Sequence, residues 1–148
     1  MQSLKVGFLA ALIATFSMSS ALAAEHEVRM LNKGVDGKMV FEPSVLHVEV
    51  GDTVTFIPTD PNHDSISVVT PEGANTWHGR RNQTVSVEIN KEGVYIYKCA
   101  PHFYYGMVGV IQAGAATNLD AARTVAEEMS SKFIIHEDRL IGYLEKVR

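Results

Sequence analysis

The 148-residue chain has a single cysteine, so it cannot close an intrachain disulfide and must rely on a packed core. Basic side chains are also few: 13 lysines and arginines stand against 17 aspartates and glutamates, a formal net charge of -4. This balance disfavours nucleic acid as a partner, because binding to a phosphate backbone needs a basic surface. With 46% hydrophobic and 20% charged residues, the composition is that of one globular domain, not of a disordered or coiled-coil chain.

Charged residues are almost absent from the first 24 positions, where Lys5 is the only one. An apolar stretch covers residues 6–16, small residues follow, and positions 21–23 form an A-x-A cleavage pattern. We therefore predict that residues 1–23 are a cleaved secretory signal peptide; cleavage one residue later fits nearly as well. The apolar stretch is shorter than the roughly 20 residues that span a bilayer, so we expect no stable membrane association.

Residues 24–114 carry the pattern of an all-β domain. Short runs rich in β-branched and aromatic residues alternate with polar residues and are separated by turn signals. They predict seven strands, at residues 26–31, 46–50, 53–58, 65–69, 84–89, 94–99 and 108–112. The irregular stretch 70–83 suits the crossover connection of a Greek-key β-sandwich. In the sixth strand, Tyr95, Tyr97 and Cys99 have the same parity, so their side chains should point to one side.

After Gly114 the spacing of apolar residues changes to a helical period. Residues 115–148 are predicted to form two short α-helices that pack against the sandwich as part of the same domain, since neither would be stable alone in water. Their apolar faces are Leu119, Ala122, Ala126 and Met129 in the first helix, and Leu140, Ile141, Leu144 and Val147 in the second. Asn118 or Asp120 is the expected N-cap of the first helix.

The single cysteine calls for an explanation. In an oxidising compartment an unpaired thiol is prone to oxidation unless it is buried, metal-bound or catalytic. Cys99 is followed by His102 and Met107, which gives a C-x-x-H-x-x-x-x-M motif. Thiolate, imidazole and thioether are soft or borderline metal ligands, and this loop is long enough to fold all three around one ion. A fourth ligand must come from elsewhere. His63, which lies before a different strand, is the best candidate.

Two histidines, one cysteine and one methionine match the blue-copper ligand set, in which a weak axial methionine completes a plane of His, His and Cys. Zinc has little use for a thioether. Four protein ligands leave no open position for a substrate, so we expect an electron carrier and not an enzyme. Two alternatives use the same residues. One is a copper chaperone or storage protein with an exchangeable site; the other employs Cys99 and His102 as nucleophile and base for acyl transfer, which leaves Met107 without a role.

Further segments extend this pattern along the chain: MLNKG at 30–34, MVFEP at 39–43, GDTVTFIP at 51–58, PEGA at 71–74, KC at 98–99, PH at 101–102 and GM at 106–107. With them, essentially the whole mature chain resembles the pseudoazurins, a family of small periplasmic cupredoxins of bacteria. The resemblance implies a cupredoxin-like Greek-key β-sandwich that ends in two short helices. It also implies one type 1 copper ion, cycling between Cu(I) and Cu(II), bound by His63, Cys99, His102 and Met107.

The resemblance further implies a diffusible carrier in the periplasm, with redox partners such as c-type cytochromes and copper nitrite reductase. We expect a monomer. An exposed edge of His102, surrounded by Met39, Pro101, Phe103 and Tyr104, is the expected docking patch. The family tends to present a lysine-rich face to its partners, and the matching residues here are Lys33 and Lys98, supplemented by Arg80 and Arg81.

Two positions beside the ligands depart from the family pattern, which has Asn after the first histidine ligand and Thr after the cysteine. Here they are Asp64 and Ala100. An asparagine amide can both donate and accept hydrogen bonds, whereas a carboxylate only accepts them and adds negative charge near the metal. We therefore expect Asp64 to favour Cu(II) and to lower the reduction potential.

Overall fold

A computed structural model of the chain describes residues 22–148. The predicted signal peptide lies outside the described residues, apart from its last two. The elements of the described part are β1 (Glu25–Gly34), β2 (Gly37–Glu42), β3 (Val45–Val48), β4 (Thr53–Pro58), β5 (Ile66–Val69), β6 (Val85–Glu88), β7 (Gly93–Lys98), a 3-10 turn (Phe103–Tyr105), β8 (Val108–Ala113), α1 (Leu119–Ser130) and α2 (Arg139–Leu144). Neither of these α-helices is long and apolar enough to cross a membrane.

The strands form two four-stranded sheets that pack face to face. The strand order is β2-β1-β4-β6 in the first sheet and β3-β8-β7-β5 in the second. The pairs β1 with β4 and β3 with β8 are parallel, and the other neighbours are antiparallel. Parallel neighbours cannot be joined by a tight hairpin, so the chain has to cross between the sheets. The predicted β-sandwich with two C-terminal helices is confirmed.

All seven predicted strands are present with small shifts at their ends, but the prediction missed β2. Its buried residues Val40 and Phe41 are neighbours in the sequence, so this short strand shows neither alternation nor a longer run of β-branched and aromatic residues. Met39, just before them, has a positive φ of 52° that interrupts the regular strand geometry.

Strand β7 is buried on both faces and carries the cysteine at its end. Tyr95, Tyr97 and Cys99 lie in the core between the two sheets, as their shared parity predicts. Val94 and Ile96, on the other face, belong to the core between the second sheet and the helices. Cys99 therefore directly follows a strand that is packed on both of its faces.

Both predicted helices are present, and their predicted apolar faces pack in the second core. Asn118 occupies the N-cap position of α1, but its side chain does not cap the helix. The side-chain amide instead accepts the N–H of Val94 over 2.7 Å and donates to the carbonyl of Val94 over 2.9 Å. The predicted N-cap position is confirmed, but the side chain attaches the start of α1 to β7 instead of capping the helix.

Candidate metal centre

The predicted metal ligands lie at one end of the sandwich, where β4 and β7 finish and β8 begins. His63 is on the loop that follows β4. Cys99 is the first residue after β7, and His102 and Met107 lie on the loop between β7 and β8. The fold therefore brings His63 to the same edge as three candidate ligands that lie at least 36 positions later in the chain.

His63, Cys99 and His102 form a compact triangle of donor atoms. The two histidine Nδ1 atoms are 3.1 Å apart, and Cys99 Sγ lies 3.6 Å from Nδ1 of His63 and 3.5 Å from Nδ1 of His102. The point equidistant from the three atoms is about 2 Å from each, which is close to the length of a bond between an imidazole nitrogen and a transition metal. The geometry therefore fits one metal ion.

The hydrogen bonding of His63 supports the same conclusion. Its Nε2 lies 2.9 Å from Oδ1 of Asn32, so Nε2 carries the proton and donates to that oxygen. Nδ1 is then left with a lone pair that points toward Cys99 and His102. Orientation of a ligand imidazole by an outer hydrogen bond is typical of metal sites.

Met107 closes the ligand loop, which we define as residues 99–107. The N–H of Cys99 donates to the carbonyl of Met107 over 3.0 Å, and the N–H of Met107 donates to the carbonyl of His102 over 3.2 Å. The Met107 side chain is fully buried and belongs to the same core cluster as Cys99. The backbone of the loop thus holds Met107 beside Cys99 and His102, and the Met107 side chain is buried in the same core as Cys99.

Burial sets the protonation of the donors in the metal-free protein. It raises the pKa of the Cys99 thiol to about 12, although the backbone N–H groups of Asp64 and His102 act in the opposite direction by hydrogen bonding to the sulfur. Burial also lowers the pKa of His63 and of His102. The imidazoles are therefore neutral and ready to bind a cation, and metal binding must displace the thiol proton.

Asp64 ties the two ligand-bearing loops together. Its side chain is buried, and its Oδ1 accepts the N–H of Ala100 over 2.6 Å. Because Asp64 follows His63 and Ala100 follows Cys99, this hydrogen bond fixes the two loops beside the donor triangle. The carboxylate acts here as an acceptor, as its chemistry requires.

Asn82 supports the His63 loop and was not found from the sequence. Its N–H donates to the carbonyl of His63 over 2.9 Å, and its Oδ1 accepts the N–H of Asn62 over 2.6 Å. Asn82 and Asn62 both have positive φ, at 64° and 72°. Asparagine tolerates this conformation better than most residues, and that tolerance is the one sequence signal available.

The surface around His102 is partly apolar. The His102 side chain is partly exposed, and Tyr104 and Tyr105 are 56% and 47% exposed. Tyr105 was absent from the predicted patch, yet its ring centroid lies 6.3 Å from that of His102. Phe103 contributes less to the surface, because its ring packs edge to face on Phe133 with centroids 5.3 Å apart.

Comparison with known proteins identifies the family. A model of copper-binding proteins of the plastocyanin/azurin family matches residues 28–114. Pseudoazurin from Paracoccus pantotrophus is 47% identical over 105 residues, which cover 69% of this chain and 72% of that protein. The chain belongs to the pseudoazurin family. The resemblance found in the sequence is confirmed.

Solved pseudoazurins have the same fold as this chain. The crystal structure of pseudoazurin from Methylobacterium extorquens AM1 matches with a TM-score of 0.76 at 35% identity, covering 84% of this chain and 99% of that one. Pseudoazurin from Hyphomicrobium denitrificans gives a TM-score of 0.71 at 40% identity, covering 84% and 98%. Pseudoazurins are electron-transfer copper proteins, and copper is the cofactor that fits a potential type 1 site of His63, Cys99, His102 and Met107.

Proposed function

We propose that the protein is a periplasmic one-electron carrier whose type 1 copper ion is held by His63, Cys99, His102 and Met107. The observation that carries the proposal is the donor triangle, in which all three distances lie between 3.1 and 3.6 Å. A bound copper ion would supply reversible one-electron chemistry at this position. Cys99 and the two histidines would hold the ion most strongly, and Met107 would be its weak fourth ligand.

The surrounding residues favour electron transfer over catalysis. Cys99 follows a strand buried on both faces, Asn32 orients His63, and Asp64 links the two loops. Donor atoms whose positions are fixed before the metal binds move little when the metal changes oxidation state. The reorganisation energy of electron transfer is therefore small. Four protein ligands would also leave no open position for a substrate, so we infer that the protein is not an enzyme.

His102 offers the contact point for a redox partner. His63 and Cys99 are fully buried, whereas His102 reaches the surface beside Tyr104 and Tyr105. We infer that partners such as a c-type cytochrome or copper nitrite reductase dock at this apolar edge and meet the carrier as a monomer.

Basic residues near this edge support docking to an acidic partner. The charge of Arg81 contributes, after burial, to the lowered pKa of His102, so Arg81 lies close enough to influence that ring. Lys98, the last residue of β7, places its Nζ 4.9 Å from the centroid of the Phe103 ring, which is on the same loop as His102. Electron-transfer rates that fall as salt is added would support this surface, and rates that do not respond to salt would contradict it.

Periplasmic location rests on the predicted signal peptide, residues 1–23. Fractionation of the source cells tests it directly. Export predicts that the protein is recovered in the periplasmic fraction with its first residues removed, and full-length protein in the cytoplasm would contradict it.

Electrochemistry separates the carrier from the chaperone alternative. The carrier predicts one copper ion per chain, intense thiolate-to-copper absorption in the Cu(II) form and reversible one-electron voltammetry. A chaperone or storage protein predicts Cu(I) that is lost readily to a Cu(I) chelator, with no intense thiolate-to-copper absorption and no reversible voltammetry. The second pattern would contradict the proposed function.

A further inference from the structure

The segment that joins α1 to α2 packs directly on the ligand loop. The Phe133 ring meets the Phe103 ring edge to face, with centroids 5.3 Å apart. The N–H of Ile134 donates to the carbonyl of Tyr104 over 2.8 Å. The C-terminal extension therefore contacts the ligand loop through both a side chain and the backbone.

Arg139, the first residue of α2, makes the most extensive of these contacts. Its Nη1 donates to the carbonyls of Gly106 and Met39, each over 3.0 Å. Its Nη2 donates to the carbonyls of Asp36 and Lys38, each over 3.2 Å. One guanidinium thus joins α2, the ligand loop and the hairpin formed by β1 and β2.

The carbonyls that Arg139 holds belong to backbone that needs support. Gly106 and Met39 both have positive φ, at 69° and 52°. For a residue with a side chain, such as Met39, that conformation is uncommon. Gly106 immediately precedes Met107, and an added Cβ on Gly106 would lie 3.4 Å from backbone oxygens of residues 135 and 136. The position of Met107 therefore depends on how this backbone is held.

The charge of Arg139 has no carboxylate partner among residues 22–148 within salt-bridge distance. Its side chain is partly buried, and burial lowers its pKa. A guanidinium placed in this way is stabilised by the four carbonyl oxygens that it binds. Its planar, fixed fork of donors suits it to hold several acceptors at defined positions, which a lysine ammonium does less well.

We infer that Arg139 is a positioning residue for the copper site: its guanidinium fixes the Gly106 carbonyl and thereby the placement of the neighbouring Met107. The inference rests on the proposed type 1 site. It gives the C-terminal helices a role in tuning the metal centre in addition to covering the second sheet.

The test compares four variants in the full mature protein. Arg139→Gln removes the charged fork, and Arg139→Lys keeps the charge with a different donor geometry. Arg123→Gln makes the same charge change on the exposed surface of α1. Leu144→Ala removes a fully buried side chain of the helix core without touching Gly106. Each variant is measured for its visible Cu(II) spectrum, reduction potential, copper affinity and Tm.

We expect Arg139→Gln to shift the spectrum and the potential and to lower copper affinity by about tenfold or more, as for other outer-shell partners of metal ligands. Arg139→Lys should shift them less. Arg123→Gln should leave all four properties unchanged, and Leu144→Ala should lower Tm while leaving the spectrum in place.

A merely structural role for Arg139 predicts a different result. Arg139→Gln would then lower Tm, as Leu144→Ala does, with no change in spectrum or potential, and the inference would be wrong. If Arg139→Gln does not fold, Arg139→Lys is compared with the wild type in the same way. A shifted spectrum or potential would support the inference, and unchanged values would contradict it. A colourless wild type contradicts the proposed function itself, whereas a blue wild type with unchanged Arg139 variants contradicts only this inference.

Discussion

The carboxylate of Asp64 provides a sharp prediction about the metal centre. Asp64→Asn removes one negative charge next to His63 while keeping an oxygen that can accept the N–H of Ala100. The link between the two ligand loops should therefore persist, and charge is the main property that changes. Because a negative charge stabilises Cu(II) more than Cu(I), its removal should raise the reduction potential.

The size of the shift follows from Coulomb's law. A unit charge roughly 6 Å from the ion, at an effective dielectric constant of about 20, changes the energy difference between the oxidation states by about 3 kcal/mol. For a one-electron couple this corresponds to roughly 120 mV. Salt and water at the His102 edge screen part of the effect, so we expect a rise of roughly 50 to 120 mV.

Voltammetry of the two proteins at pH 7 measures this shift. Glu88→Gln is the matched control, because Glu88 is exposed and pairs with Thr53 at the end of β4 opposite to the copper site. The control should leave the potential close to that of the wild type. An unchanged or lower potential in Asp64→Asn would refute the role assigned to the carboxylate.

Two further predictions concern residues outside the ligand set. Asp52 accepts hydrogen bonds from the backbone N–H groups of Ala24 and Glu49, and its pKa is lowered to about 2. Its contribution to stability, about 1–2 kcal/mol after screening, should be complete above about pH 4 and lost as pH falls toward 2. Urea unfolding of Asp52→Asn should differ from the wild type at pH 7 and converge with it at pH 2; a gap that does not depend on pH would contradict this. Asn32→Ala removes the acceptor that orients His63 and should lower copper affinity by about 10- to 100-fold in chelator competition; an unchanged affinity would show that the backbone alone orients the ring.

Local sequence patterns predicted most of the strands and both helices of this molecule. Short runs of β-branched and aromatic residues, many of them alternating with polar ones, located every strand but β2. The shared parity of Tyr95, Tyr97 and Cys99 placed the sulfur inside the sandwich. The ligand types could also be inferred, because few residues offer soft donors and their spacing in the ligand loop is short. His63 could be proposed as the fourth ligand because it lies before a different strand, and its Nδ1 lies beside Cys99 and His102 in the structure.

The residues that support the site could not be predicted in this way. Arg139 and Met39 are 100 positions apart, and Asn32 and His63 are 31 apart, so no local period connects them. Their roles depend on which strand ends meet in space. Asn118 shows the same limit, since its sequence position predicted a cap while the nearby backbone of β7 offers it better partners.

The most direct test of the copper site is the visible spectrum of wild type and Cys99→Ser, each given one equivalent of Cu(II), with circular dichroism to confirm that both are folded. The donor triangle predicts a strongly coloured wild type and a variant without the charge-transfer band. A folded wild type that binds Cu(II) but stays colourless, or a serine variant that keeps the band, would contradict the account.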